Sequence, residues 1–314
     1  MSEYINLVLC ESPLQLSNCI KVLSNNNQVQ KSFFIIRLNG MQKNDLLIKK
    51  IISDHKLKHY VVEINIASTL TSKLHIRFLH LYVLFLLSKS NVINIFIGDA
   101  RNKWMINSNT LFFYKNKNVF FIDDGMATLN SISYIERLQS KLVKKITVFT
   151  SFDIQSNIVD IMKVDKKKKE VQIDEESIIF IGSPLIEKNI TNKSKYIDVL
   201  IKIAEKNKHF SNRVYVLHRA ENALTEKELL LIGFNQVISL EMDVVTAFDT
   251  GLLSAKQIVG FYSTALCQID DLFININVIA YYPRVDFFEE TFIENINHVY
   301  KYFIDSTSVN VIDI

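Results

Sequence analysis

Phe120-Phe121-Ile122-Asp123-Asp124-Gly125 is an apolar run that ends abruptly in two acids and a glycine. Three other stretches have the same form: Ile178-Ile179-Phe180-Ile181-Gly182-Ser183-Pro184, Val214-Tyr215-Val216-Leu217-His218, and Ile258-Val259-Gly260-Phe261-Tyr262-Ser263-Thr264-Ala265-Leu266. Continuous apolar runs of this length are what strands buried on both faces of a parallel sheet look like. In open α/β sheets, ligands bind just beyond the carboxyl ends of such strands. The four endings supply an acid pair, a turn of small residues, a histidine and two hydroxyls, which is the inventory of an enzyme.

Around these runs, strand-length apolar segments alternate with amphipathic ones, the pattern of βαβ units. In the first half the sequence predicts strands at 6–10, 32–37, 59–64, 91–97, 119–122 and 145–150, with helices at 14–25, 44–55, 68–88 and 131–142. A polar, lysine-rich stretch follows. Strands are then expected at 177–182, 213–217, 236–240, 257–261 and 277–282, with helices at 193–207, 225–231, 244–252 and 263–272. This predicts a Rossmann-like domain at 1–155, a linker at 156–176 and a second Rossmann-like domain at 177–314, facing each other across a cleft.

Composition sets the outer limits. At 314 residues, 48% hydrophobic and 22% charged, the chain can bury two cores and does not read as disordered. The net charge of +3 is small, and the one basic run, Lys166 to Lys169, is followed at once by Glu170. Such a run is expected to be a solvated linker, because nucleic-acid binders spread cations over a face with aromatics between them. Cys10, Cys19 and Cys267 cannot all pair and lack metal-site spacing, which points to a reducing compartment. The amino terminus has no signal-peptide layout, and the apolar stretch 78–87 is half the length of a bilayer crossing. A cytoplasmic protein is expected, with peripheral attachment to the inner membrane and a homodimer both compatible with the composition.

Each polar ending has two readings. Asp123 and Asp124 point opposite ways if they continue the strand, so one can face a substrate while the other anchors the loop; a capping Asp-Asp-Gly turn explains them equally well. His218 can protonate a leaving group or hold a phosphate as a cation, or be a loop histidine. Ser263 and Thr264 open a helix, where free backbone amides make an anion site or a serine simply caps. Gly182 and Ser183 share that ambiguity. No G-x-G-x-x-G or Walker A loop occurs.

The ordered set from 120 to 266, about half of the chain, resembles the motifs of bacterial sialyltransferases, in particular glycosyltransferase family 52, the lipooligosaccharide sialyltransferases. The resemblance implies a GT-B fold and an inverting sialyltransferase. It implies CMP-sialic acid as donor, a hydroxyl of a bacterial surface glycan (lipooligosaccharide, O-antigen or capsule) as acceptor, and no cofactor or metal. Asp123 would be the general base and Asp124 would support the loop. His218 would assist departure of CMP, Ser263 and Thr264 would bind its phosphate, and Gly182, Ser183 and Arg219 would lie near the nucleotide. The family has proline after the histidine, whereas this chain has Arg219 and Ala220. That departure leaves open another CMP-nonulosonate or nucleotide-sugar donor, or a catalytically degenerate nucleotide- or glycan-binding protein.

Overall fold

The structure, a computed structural model, describes residues 5–64, 70–89, 92–164 and 168–314. Ser68, Thr69, Asn91, Asp165, Lys166 and Lys167, on which expected element or linker positions fall, lie outside them. The chain divides into two compact units, Met1–Asp165 and Lys166–Ile314.

In the first unit, β1 (Asn6–Cys10), β2 (Ser32–Leu38), β3 (His59–Glu63), β4 (Asn94–Ile97), β5 (Asn118–Ile122), β6 (Thr147–Thr150) and β7 (Asp160–Lys163) form one sheet in the order β3-β2-β1-β4-β5-β6-β7. Every pairing is parallel. The connecting helices are α1 (Pro13–Ser24), α2 (Gln42–Asp54), α3 (Leu70–Lys89), α4 (Ser108–Tyr114) and α5 (Met126–Gln139). Strand order reverses between β1 and β4, so the carboxyl ends there diverge and leave room for a ligand. Apolar clusters cover both faces of the sheet, one built around Leu7, Ile97 and Phe121 and the other around Val8, Ile36 and Ile122.

Several local outcomes differ from the sequence reading, which foresaw no helix at α4 and, in the second unit, none at Glu290–Ser306 and no strand at Asn310–Asp313. Asp160–Lys163, assigned to the linker at 156–176, pairs with β6 as an edge strand; its mostly exposed side chains leave no apolar run to read. Helix α5 starts at Met126 rather than 131. Gly125, at φ +70°, provides the left-handed turn that lets the helix follow the strand at once. Thr128 and Ser131 are buried in its first turns, where they hide the apolar period.

In the second unit the sheet runs β10-β9-β8-β11-β12-β13, again parallel throughout, with the reversal between β8 and β11. The strands are β8 (Ser177–Ile181), β9 (Asn212–Leu217), β10 (Gln236–Ser239), β11 (Gln257–Gly260), β12 (Asn277–Tyr282) and β13 (Asn310–Asp313). The helices are α6 (Lys193–Lys206), α7 (Glu226–Ile232), α8 (Val244–Asp249), α9 (Thr264–Leu272) and α10 (Glu290–Ser306). Among the described residues no helix is long and apolar enough to cross a membrane.

The amino ends of the first unit's strands are tied by side-chain rungs. Asn118 Nδ2 donates to Asn94 Oδ1 (2.7 Å), Asn94 Nδ2 to Asn6 Oδ1 (2.8 Å), and Asn6 Nδ2 to the Ser32 hydroxyl (3.0 Å). These residues are register partners in the sheet, so the rung chain fixes strand alignment where the ladder begins. Asn6 is fully buried, and its truncation strands a donor on Asn94. Asn6→Ala is expected to lower the unfolding free energy by about 1–3 kcal/mol, measured by denaturant titration followed by circular dichroism; an unchanged midpoint would remove the rungs from the account of register.

Candidate functional site

At the carboxyl edge of the first sheet, the two adjacent acids have different surroundings. Asp123 is buried and its carboxylate is fully engaged. Gly125 N–H (2.8 Å) and the Thr128 hydroxyl (3.1 Å) donate to Oδ1; Ser151 N–H (3.1 Å), the Ser151 hydroxyl (3.1 Å) and the Thr150 hydroxyl (3.2 Å) donate to Oδ2. It thereby joins the ends of β5 and β6 to the first turn of α5. Burial raises its pKa against the pull of these donors.

Asp124 is only partly buried, and its Oδ1 accepts Gln15 Nε2 at 3.0 Å. Burial first, then the neighbouring Asp99 and Glu11 carboxylates, push its pKa to about 7, against Gln15 and Arg101, which pull it down. Gln15 sits at the strand-order reversal, where Ser12 caps α1 and Pro13 occupies its first position. Its Oε1 accepts Glu11 N–H at 2.9 Å. A Cβ on Gly98, just after β4, would overlap the Gln15 amide, with Cδ at 2.7 Å, so the glycine lets Gln15 keep this position. Glu11 in turn is held by Arg37 Nη2 (2.7 Å) and by the Trp104 indole N–H (2.9 Å). The expectation that Asp123 is the base and Asp124 the loop support is thus at odds with the hydrogen bonding: Asp123 is the anchor and Asp124 the presented group.

In the second unit, Gly182 and Ser183 follow β8, His218 and Arg219 follow β9, and Ser263 and Thr264 follow the β11 end; these are three neighbouring strands of one sheet edge. His218 Nδ1 accepts Ala220 N–H at 3.0 Å, which leaves the ring proton on Nε2. Burial, then the Arg219 and Lys188 charges, lower its pKa to about 4. With Nδ1 accepting and its pKa lowered, His218 is a neutral ring whose Nε2–H is its donor. Ser263 Oγ accepts Ala265 N–H at 3.2 Å as the cap of α9, so its hydroxyl remains able to donate.

Glu221 organises this edge, and sequence reasoning gave it no role. Its Oε2 accepts His218 N–H (2.7 Å), and its Oε1 accepts the Tyr215 hydroxyl (2.6 Å), with the Tyr196 hydroxyl 3.2 Å away. Burial pushes its pKa to about 7, with Glu187 adding to the rise and Tyr215 opposing it. A Cβ on Gly182 would overlap Glu221 Oε2 and lie 2.9 Å from the Tyr215 ring, so this glycine makes room for the carboxylate. Gln15 was missed in the same way. The signal for both is a polar residue three places after a strand-end motif, Ser12-x-x-Gln15 and His218-x-x-Glu221.

No protein-family model matches the chain, and no curated protein matches it. Among solved structures it is similar to a putative UDP-N-acetylglucosamine 2-epimerase from Listeria monocytogenes, with TM-score 0.53 and 10% identity over 88% of this chain and 79% of that one. It is also similar to MurG from Acinetobacter baumannii, with TM-score 0.52 and 10% identity over 98% and 85% of the two chains. A third, S. aureus MnaA with UDP, gives TM-score 0.52 and 12% identity over 97% and 88%. The chain has the two-domain GT-B fold. In this GT-B chain all eight site residues predicted from sequence fall at carboxyl edges of the two sheets, Asp123 and Asp124 in the first unit and the other six in the second.

Asp124 holds its proton to about pH 7 when folded and releases it near 3.8 when unfolded. Its favourable contribution is complete below 3.8 and lost as pH rises through about 7. Asp124→Asn should therefore gain on the parent as pH rises through that window, by on the order of 2 kcal/mol once partial exposure is discounted. Parallel melting-temperature curves would show that the carboxyl titrates normally. For the second edge, Gly182→Ala and Glu221→Ala should be strongly non-additive, because removing the carboxylate empties the space the new methyl needs. Additive losses in a denaturation cycle would contradict the packing argument.

Proposed function

We propose that the chain is an inverting glycosyltransferase that uses a nucleotide-activated sugar, with Asp124 as the general base. The observation that carries this reading is the division between two adjacent acids at one sheet edge: Asp123 is spent on five internal hydrogen bonds, while Asp124 keeps one oxygen clear of Gln15. A pKa of about 7 matches a base that works near neutrality.

In the proposed reaction, the acceptor hydroxyl gives its proton to Asp124 as its oxygen bonds to the anomeric carbon. The bond from that carbon to the nucleotide phosphate breaks on the opposite face, and its electron pair leaves with the phosphate. The transition state is oxocarbenium-like, so stabilising the departing anion is the second requirement. His218 Nε2–H, the hydroxyls of Ser263 and Thr264 and the amino end of α9 supply donors of the kind that task needs. The charge of Arg219 adds to them.

The ordered motifs favour CMP-sialic acid as the donor and a bacterial surface glycan as the acceptor. A UDP-sugar is the second reading, favoured by the fold likeness to a UDP-N-acetylglucosamine 2-epimerase and to a protein solved with UDP, and by the missing proline after His218.

Thermal-shift measurements with CMP, UDP and GDP separate the two, because only a nucleotide that binds the folded chain raises its melting temperature. Stabilisation by CMP, with CMP released from CMP-sialic acid in the presence of acceptor and detected by mass spectrometry, is the expected result. Stabilisation by UDP alone would move the assignment to the second reading. Asp124→Asn should keep the nucleotide shift and lose roughly 100-fold or more in turnover, whereas Asp123→Ala should first cost stability. Near-normal turnover of Asp124→Asn would end its role as base.

A further inference from the structure

Helix α3 is apolar on two opposite faces. One face, with Leu79, Val83, Leu86 and Leu87, is buried in the core of the first unit. The other carries Leu74, Phe78, Leu81 and Phe85, exposed by 42%, 66%, 58% and 48%. At about 100° per residue these four fall within about 60° of arc, a single row along three turns. A surface helix normally turns one apolar stripe to the core and polar residues outward, so a second apolar stripe is unexpected. Elsewhere on the first unit, a groove that begins at the buried side of the helix, at Leu87, is lined by Ile93 and Phe112, both largely exposed. Contiguous apolar surface of this extent marks a contact with something.

The charges around the row say what kind of surface fits. Helix α3 contains no Asp or Glu, and the exposed cations Lys73 and Arg77 run along one flank. Lys115, Lys117 and Lys144 line the groove near Leu87, with no acid among the lining residues. On the other flank Glu63 is paired with Lys49 at 3.0 Å. An anionic lipid surface accepts both the row and the cations beside it.

We infer that the Leu74-Phe78-Leu81-Phe85 face of α3 docks the protein on an anionic lipid surface. The inference stands on the first unit alone and does not depend on which sugar donor is correct.

Co-sedimentation with vesicles of phosphatidylcholine, with or without phosphatidylglycerol, tests it on the full chain. Binding should require phosphatidylglycerol and weaken with salt. Phe78→Ser and Leu81→Ser should each reduce it roughly tenfold, and Lys73→Gln and Arg77→Gln roughly fivefold each. A Phe78→Trp variant gives a second reading that survives if the serine variants fold poorly. Its emission should shift to the blue on phosphatidylglycerol vesicles, over a constant background from the single native tryptophan, Trp104, which is buried. Failure of the full chain to sediment with these vesicles, an unshifted emission from the Phe78→Trp variant, or undiminished binding by well-folded serine variants would each overturn the proposal. So would a dimer in sedimentation equilibrium that the Phe78→Ser and Leu81→Ser changes together dissociate, since the face would then belong to a second copy.

Discussion

A carboxylate buried at the end of a parallel strand must be satisfied from inside the fold, and at Asp123 that requirement shapes the whole first sheet edge. Its donors come from the turn at Gly125, from Thr128 in α5 and from Thr150 and Ser151 at the end of β6. Meeting them fixes where α5 starts, how β6 leaves the sheet and which way the preceding backbone faces. Adjacent strand residues point to opposite sides, so engaging Asp123 inward leaves Asp124 turned toward α1. Gln15 then meets it, and the glycine at 98 leaves room for the Gln15 amide.

The second unit solves a similar problem with another residue. Glu221 lies in the loop after β9 and bonds to His218 N–H and Tyr215, so the loop folds back over its own strand. The carboxylate uses the space above Gly182 that a larger residue on β8 would fill. In both units one acid anchors the strand end, and the glycine beside it is explained by packing against a side chain of that edge, Gln15 at Gly98 and Glu221 at Gly182. A close approach to nucleotide, the usual reading of a strand-end glycine, is not needed to account for Gly98 or Gly182.

The sheets were legible in the sequence because parallel strands buried on both faces must be apolar throughout, and a run such as Val8-Leu9-Cys10 or Ile178-Ile179-Phe180-Ile181 is too short and too β-branched or apolar to suit a surface helix or a loop. The exposed edge strand β7 has no such run, and α5 hides its start behind Thr128 and Ser131, which are polar but buried. Helix α10 carries a helical period in Ile296, Val299, Tyr300 and Phe303 that a reading centred on strand endings passes over. The site residues were legible as positions, since strand ends can be read locally. Their division of labour was not. The partners that decide it, Ser151 for Asp123 and Gln15 for Asp124, lie 28 and 109 residues away in sequence.

Helix α3 shows the opposite failure, where local reading succeeds and its meaning lies in what surrounds it. Its apolar content says only that it is covered; the fold shows that the sheet covers one side. As the crossover between β3 and the parallel strand β4, it runs back from the carboxyl edge of the sheet to the amino edge. The outward row from Leu74 to Phe85 spans about 16 Å along that path. A flat surface resting on the row therefore lies alongside the strands and does not cap their ends. Such a surface does not itself cover the carboxyl edge where Asp124 lies, so docking by the flank and the proposed use of that edge do not compete.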